Sequence, residues 1–203
     1  TLLAVSKTKP IEMLREAERL GLKQFGENYA EEAKEKIQQR PVLKSEWHFI
    51  GRIQSNKTRS IAQHFAWIHT VDRIKVARRL ALHCPEEKTL QILLQVNVDS
   101  DENKGGIEEN KLDELIKFVL SEPNLNLRGL MTILSEGTDP QKGYSKLRDL
   151  FNHLKEIYAH EFHAWDTLSM GMSKDLEVAV NCGATIVRVG TDIFGSRTNG
   201  KGF

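Results

Sequence analysis

The sequence predicts a parallel α/β fold of the (β/α)8 TIM-barrel class, and three observations predict it. Eight short apolar runs alternate with seven amphipathic segments along 203 residues, the order that builds a parallel sheet covered by helices. No GxGxxG follows any predicted strand, which removes the signature of an open dinucleotide-binding sheet. Length and an apolar content of 39% suit one barrel-sized core. No internal repeat or low-complexity linker divides the chain, so one domain over residues 1–203 is expected.

Leu2–Ser6 reads as the first strand, closed by Lys7-Thr8-Lys9 and by Pro10, a proline placed to open the helix Ile11–Leu20. Gly21 stands where a helix C-terminal glycine belongs. Gln24–Glu27 is the second strand, followed by a helix over Tyr29–Gln39. Trp47–Ile50 and Trp67–Val71 follow as strands, with helices over Lys57–Phe65 and Arg73–His83. Gln91–Val98 and Arg128–Ile133 are longer apolar runs, separated by the helical pattern Glu108–Leu120. The helix Gln141–Tyr158 leads to Trp165–Met170, and Lys174–Cys182, stopped by Gly183, leads to Ile186–Gly190. A chain that begins inside a strand implies that a further N-terminal segment precedes it.

Charge excludes several function classes. Lys and Arg number 29 against 28 Asp and Glu, a net charge of +1 with the signs well mixed. The strongest basic cluster, Arg73-Ile74-Lys75-Val76-Ala77-Arg78-Arg79, has the spacing of a solvated helix face rather than of a nucleic-acid grip. Cys84 and Cys182 lack CxxC spacing, so neither a disulfide framework nor a zinc site is expected. There is no run of about 20 apolar residues and no signal peptide. A cytoplasmic, monomeric protein with no membrane or nucleic-acid partner is the expectation.

Candidate chemistry lies at the two ends of the chain. Leu3, Val5 and Lys7 share one strand face. An ammonium there is costly to bury, and desolvation favours the neutral, nucleophilic amine, which forms Schiff bases. A strand-end lysine reaching solvent is the plain alternative. Ile186, Arg188 and Gly190 share a face opposite Val187 and Val189, so Arg188 is expected inside the barrel. A buried guanidinium needs an acceptor. The structural alternative is a salt bridge to an inward carboxylate, Glu27 or Glu46. Phosphate sites of barrels commonly follow strands seven and eight. Ser173 is expected to cap a helix starting at Lys174, and Gly190 and Thr191 offer a close backbone, an amide and a hydroxyl. Because the first and last strands of a barrel are neighbours, these groups converge. An amine, a guanidinium and an anion pocket together suit pyridoxal 5′-phosphate, which carries an aldehyde, a ring acceptor and a phosphate.

The runs Leu3-Ala4-Val5-Ser6-Lys7, Phe25-Gly26-Glu27-Asn28-Tyr29 and Trp47-His48-Phe49-Ile50-Gly51-Arg52-Ile53-Gln54-Ser55-Asn56-Lys57 resemble the YggS/PROSC-type pyridoxal phosphate homeostasis proteins. So do Arg128-Gly129-Leu130-Met131, Leu168-Ser169-Met170-Gly171-Met172-Ser173 and Arg188-Val189-Gly190-Thr191-Asp192-Ile193-Phe194-Gly195. The resemblance spans essentially the whole chain. It implies a barrel like the N-terminal domain of alanine racemase, with the cofactor held as an aldimine on Lys7. It also implies phosphate contacts from Ser173, Gly190 and Thr191, Arg188 at the pyridine nitrogen, and Asn28 and His48 near the ring. A backbone-satisfied core histidine is the ordinary alternative for His48, and a turn or cap for Asn28. Relative to that family, a leading helix before the first strand is missing.

The resemblance further implies cofactor homeostasis without a demonstrated reaction, and PLP-dependent apoenzymes as possible recipients; no residue is assigned a catalytic role. An arginine at the pyridine nitrogen disfavours its protonation and weakens the ring as an electron sink. Racemases of the related fold recruit a second base from elsewhere, and the tail Asn199–Phe203 is expected to leave no length for it. A weak amino-acid racemase and a phosphate-ester isomerase or aldolase are the rival enzymes. Lys104, in the loop after strand five, either assists transfer or is solvated. Met131, Met170 and Met172 either line the pocket or fill core.

Overall fold

The computed structural model describes residues 1–39, 45–101 and 104–195. Eight parallel strands close into a barrel in sequence order. They are β1 (Leu2–Val5), β2 (Gln24–Glu27), β3 (Glu46–Phe49), β4 (Trp67–Val71), β5 (Leu90–Gln95), β6 (Leu125–Met131), β7 (Thr167–Met172) and β8 (Ile186–Val189). The helices between them are α1 (Ile11–Arg19), α2 (Ala30–Gln38), α3 (Thr58–His64), α4 (Ile74–His83), α5 (Leu112–Ser121), α6 (Pro140–Ile157) and α7 (Leu176–Asn181). A single turn, α8 (Thr191–Phe194), follows β8. Closure comes from β1 and β8, where Leu3 stands opposite Arg188 and Ala4 opposite Val189.

Local signals place most boundaries. Gly21 and Gly183 follow α1 and α7 with φ of 100° and 96°. The two hydrogen bonds of a Schellman cap close each end, from Gly21 N to Glu18 O and Leu22 N to Ala17 O, and from Gly183 N to Val180 O and Ala184 N to Ala179 O. Asp139 caps α6 by accepting from Gln141 N at 3.0 Å, so that helix starts at Pro140, which suits the first helical position.

Two expectations are corrected. β6 begins at Leu125, three residues early, because Leu125 and Leu127 face the helices while the polar Asn126 and Arg128 point into the barrel. α7 begins at Leu176 rather than Lys174. Asp175 takes its N-cap position and accepts from Met172 N at 2.7 Å, so Ser173 lies in the preceding turn and is not the cap. Glu102, Asn103 and the Asn199–Phe203 tail fall outside the described residues.

The main core lies between strands and helices, from Ala4, Phe25 and Phe49 round to Leu168 and Ala179. Inside the barrel the apolar residues form two separate groups. Leu3, Ile50 and Ile186 with Val5 are one, and Trp67, Leu93 and Met131 with Ile133 are the other. Met170 belongs to the outer core and Met131 to the inner group, whereas Met172 is exposed. Among the described residues no helix is long and apolar enough to cross a membrane.

A buried ion pair on the outer side of the wall locks β1, β2 and α2 together. Lys36 of α2 donates to Glu27 Oε1 at 2.7 Å, to Glu32 Oε1 at 2.6 Å and to the Ser6 carbonyl at 2.7 Å. The Ser6 hydroxyl donates to the same Glu27 oxygen. Burial raises the Glu27 pKa, and Lys36 pulls against that rise. A raised folded-state pKa means that deprotonating Glu27 costs the fold more than the unfolded chain, so the cost grows as pH climbs from the ordinary carboxylate range. Lys36→Met is expected to destabilise by about 3–5 kcal/mol, less at about pH 5 than at about pH 8; urea unfolding at both values measures it, and equal losses would contradict this account.

Candidate functional site

The carboxyl ends of β1, β2, β7 and β8 gather the residues that the sequence singles out. Lys7 sits two residues beyond β1, half-buried, in a turn whose neighbours are held from three sides. The Ser6 carbonyl is fixed by Lys36. Thr8 has φ of 64°, an outlier for a β-branched residue, and its N–H donates to Glu32 Oε1 at 2.5 Å. Lys9 reaches across to the end of α8, donating to the Phe194 and Gly195 carbonyls at 2.9 and 3.0 Å. The loop carrying Lys7 is thus tied to the last turn of the barrel, α8.

Gly190 follows β8 directly, beside the end of β1. A Cβ there would approach the Val5 carbonyl oxygen to 3.2 Å, so a larger residue would push the two strand ends apart. Thr191 starts α8 and is exposed. Ser173 is half-buried in the turn after β7. Asp175 of that turn also accepts from Tyr144 OH at 2.8 Å, and burial followed by this bond raises the tyrosine pKa. Asn28 lies just past β2 with its Oδ1 buried and without a hydrogen-bond partner. Gly51 permits this placement, since a Cβ at that position would lie 2.0 Å from the Asn28 carbonyl oxygen. Lys104 is not merely solvated: its ammonium donates to the Leu134 carbonyl at 2.5 Å.

Arg188 does point into the barrel and is 4% exposed. Neither Glu27 nor Glu46 pairs with it: Glu27 faces the opposite side of the wall and takes Lys36, and Glu46 takes His48. Among the described residues Arg188 meets no carboxylate. Its Nη1 donates to Ser169 Oγ at 3.0 Å and its Nη2 to the Thr132 carbonyl at 2.8 Å. Burial pushes its pKa down to about 10, while nearby Tyr144 and Asp175 favour the charge; the guanidinium therefore stays charged at neutral pH.

His48 is also buried, but side chains rather than backbone satisfy it. Its Nδ1 lies 2.9 Å from His69 Nε2 and its Nε2 3.1 Å from Glu46 Oε1, and its ring stacks on Trp67 at 5.4 Å. His69 Nδ1 in turn lies 2.9 Å from Ser169 Oγ. His48 registers with Gly26, two residues short of Asn28, so it occupies a layer beneath the barrel mouth. Burial lowers the pKa of His48 and puts that of His69 well below the ordinary value. His69, Ser169, Thr132, Tyr144 and Asp175 were not anticipated. The first two had a legible signal: each is a polar residue on the inward face of an otherwise apolar strand.

Two cavities flank this arrangement. One, of about 460 Å³, lies outside the barrel between α1 and α2 and is lined by Glu12, Glu32 and Glu35 as well as Lys9 and Lys36; three carboxylates make it a poor phosphate site. The other, of about 240 Å³, opens at the N-terminal mouth between Gln24, His48, Trp67 and Arg128. Arg128 there pairs with both Asp166 oxygens and lies over the Trp67 ring.

Residues 1–198 match the family described as alanine racemase, N-terminal domain. The pyridoxal phosphate homeostasis protein of Vibrio alginolyticus is 47% identical over 201 residues, covering 97% of this chain and 86% of that protein. The Escherichia coli K12 protein of the same name is 46% identical over 208 residues, covering 99% and 87%. Among solved structures, PipY of Synechococcus elongatus with PLP bound superposes with a TM-score of 0.86 at 35% identity, covering 96% of this chain and 92% of PipY. Alanine racemase of Clostridium difficile shares the fold, with a TM-score of 0.76 at 11% identity over all of this chain and 54% of the racemase. The chain belongs to the pyridoxal phosphate homeostasis proteins, built on the alanine racemase N-terminal barrel.

Proposed function

We propose that this chain is a carrier of pyridoxal 5′-phosphate that holds the cofactor reversibly through Lys7 and performs no turnover of its own. The observation that carries the reading is the pairing of β1 with β8, which makes neighbours of the strands bearing Lys7 and Arg188. The PLP-bound PipY structure supports it by analogy. So does the orphaned Asn28 Oδ1, because a buried acceptor without a partner costs stability unless a ligand satisfies it. Gly190 supports it too, since a side chain there would crowd the Val5 carbonyl at the end of the neighbouring strand.

Ser173, Gly190 and Thr191 would hold the phosphate, Asn28 would lie along the ring, and Arg188 would meet the ring nitrogen. When bound, the cofactor supplies an aldehyde that condenses reversibly with a primary amine, releasing water. Arg188, held charged by its surroundings, would keep that nitrogen unprotonated. Among the described neighbours of Arg188, the titratable groups are already engaged: His69 at both ring nitrogens, Tyr144 as donor and Asp175 as acceptor. That engagement favours holding over proton transfer, since stereochemical inversion needs a second group free to exchange a proton. PLP-dependent apoenzymes in the cytoplasm are the proposed recipients, and residues 1–203 the proposed unit of binding.

Borohydride reduction of the loaded protein, followed by peptide mapping, is expected to label Lys7; labelling at another lysine overturns the assignment. Asn28→Ala is expected to weaken cofactor binding by about tenfold, one hydrogen bond, while the melting temperature of the cofactor-free protein holds or rises. Unchanged affinity with reduced stability would assign Asn28 to the fold alone. Product chirality with several amino acids, compared against Lys7→Ala, tests the racemase rival; sustained Lys7-dependent turnover contradicts the carrier reading.

A further inference from the structure

The interior of this barrel contains one continuous row of hydrogen bonds whose direction can be deduced from its ends. At the N-terminal mouth stands Glu46, partly exposed, whose carboxyl is held below the ordinary range chiefly by its bond from His48. An ionised carboxylate only accepts, so the proton between Glu46 and His48 belongs to His48 Nε2. With His48 neutral, its Nδ1 carries no proton and must accept. Its neighbour, His69 Nε2, is therefore the donor. With His69 neutral, its Nδ1 must accept from the Ser169 hydroxyl. The Ser169 oxygen still has a lone pair for Arg188 Nη1, which can only donate. Every bond runs the same way, from Arg188 to Ser169 to His69 to His48 to Glu46, and no group in the row is left with two donors or two acceptors facing one another.

We propose that Glu46 is the remote counter-charge of Arg188, coupled to it through this one-way row, and that Glu46, His48, His69 and Ser169 are positioning residues for the guanidinium. A buried guanidinium without a carboxylate beside it is otherwise severely destabilising. Aligned hydrogen bonds polarise one another and carry part of the compensation across the neutral rings. The remaining charged groups nearby are not joined to Arg188 by hydrogen bonds. Arg128, at the same mouth, is neutralised by Asp166. Asp175, bonded to Tyr144 and to Met172 N, favours the Arg188 charge through space but makes no hydrogen bond to it, so Glu46 adds the hydrogen-bonded part of the compensation. Gln24 Nε2 donates to the same Glu46 oxygen at 2.9 Å, fixing the carboxylate as an acceptor. Resting on the pyridoxal phosphate reading, the row sets the hold of Arg188 on the cofactor ring from the opposite end of the barrel.

The row itself is tested without cofactor. Long-range proton–nitrogen correlation spectra of the full chain labelled with ¹⁵N-histidine are expected to show His48 and His69, assigned through their contacts with Trp67, neutral and protonated at Nε2. An Nδ1-protonated or charged ring at neutral pH in either residue overturns the proposal. In Glu46→Gln both rings are expected to lose that single tautomer, because an amide can donate as well as accept, while Glu46→Asp restores it. Rings unchanged in Glu46→Gln also overturn it. On the loaded protein, Glu46→Gln is expected to shift the visible cofactor band and weaken binding by about tenfold. Unchanged band and affinity with Lys7 still labelled would refute the coupling and leave the carrier reading intact. The expected tautomers in a chain that takes up no cofactor would leave the row standing and refute the carrier reading.

Discussion

A positive charge buried inside the barrel without an adjacent carboxylate is the constraint to which the rest of the interior answers. Small parallel barrels normally fill their centre with layers of branched aliphatic side chains. Here Arg188 requires acceptors at depth, and a polar row through β3, β4, β7 and β8 supplies them. The cost is visible in the packing: the inner apolar residues fall into two groups separated by that row, rather than one. Trp67 reconciles the two chemistries, stacking its face on His48 while its ring also receives the Arg128 guanidinium at 4.6 Å. Stability is left to the outer core, where strands meet helices and where Ala4, Phe25, Ile68, Ile92 and Leu130 are fully buried.

The other half of the candidate site is built from the outside of the wall. Lys7 lies in a strained turn, and strain of this kind persists only where the surroundings over-determine it. Thr8 is pinned by Glu32, Ser6 by Glu27 and Lys36, and Lys9 by the end of α8. These contacts use residues facing α2, so the amine is positioned without drawing on the inner face that Arg188 occupies. Lys9, by bridging to Phe194 and Gly195, ties the loop after β1 directly to the turn after β8.

How much of this could be read from the chain follows from which physical signal each element carries. Short apolar runs between helical patterns gave all eight strands, with β2 and β4 matching to the residue. β6 was shortened in prediction because Asn124 and Asn126 look like loop residues until the barrel floor that hydrogen-bonds Asn126 is known. α8 is too short for helical periodicity to register. The inward direction of Arg188 followed from the all-apolar opposite face, and that logic was sound. Its partner could not be inferred in the same way. Glu27 and Glu46 were both sensible choices, but strand parity puts Glu27 outside the wall, and Glu46 is one layer too low to touch the guanidinium. Sequence alternation fixes which face a side chain takes and says little about how far along the barrel its neighbours lie.

That difference in depth bears on why one barrel serves both proton-transferring racemases and a family named for cofactor homeostasis. At 11% identity the racemase comparison carries the fold alone, so the distinction must come from side chains, not from architecture. In this chain the interior histidines are the obvious candidates for acid–base work, and they are unsuited to it. Each ring has both nitrogens committed, each is desolvated into its neutral form, and each sits in the row that compensates Arg188. Releasing either one to exchange protons with a bound molecule would break the alignment on which the buried guanidinium depends. An interior wired to stabilise one fixed charge is thereby poorly placed to move others, and the proposed holding role draws on the same contacts that keep the barrel folded.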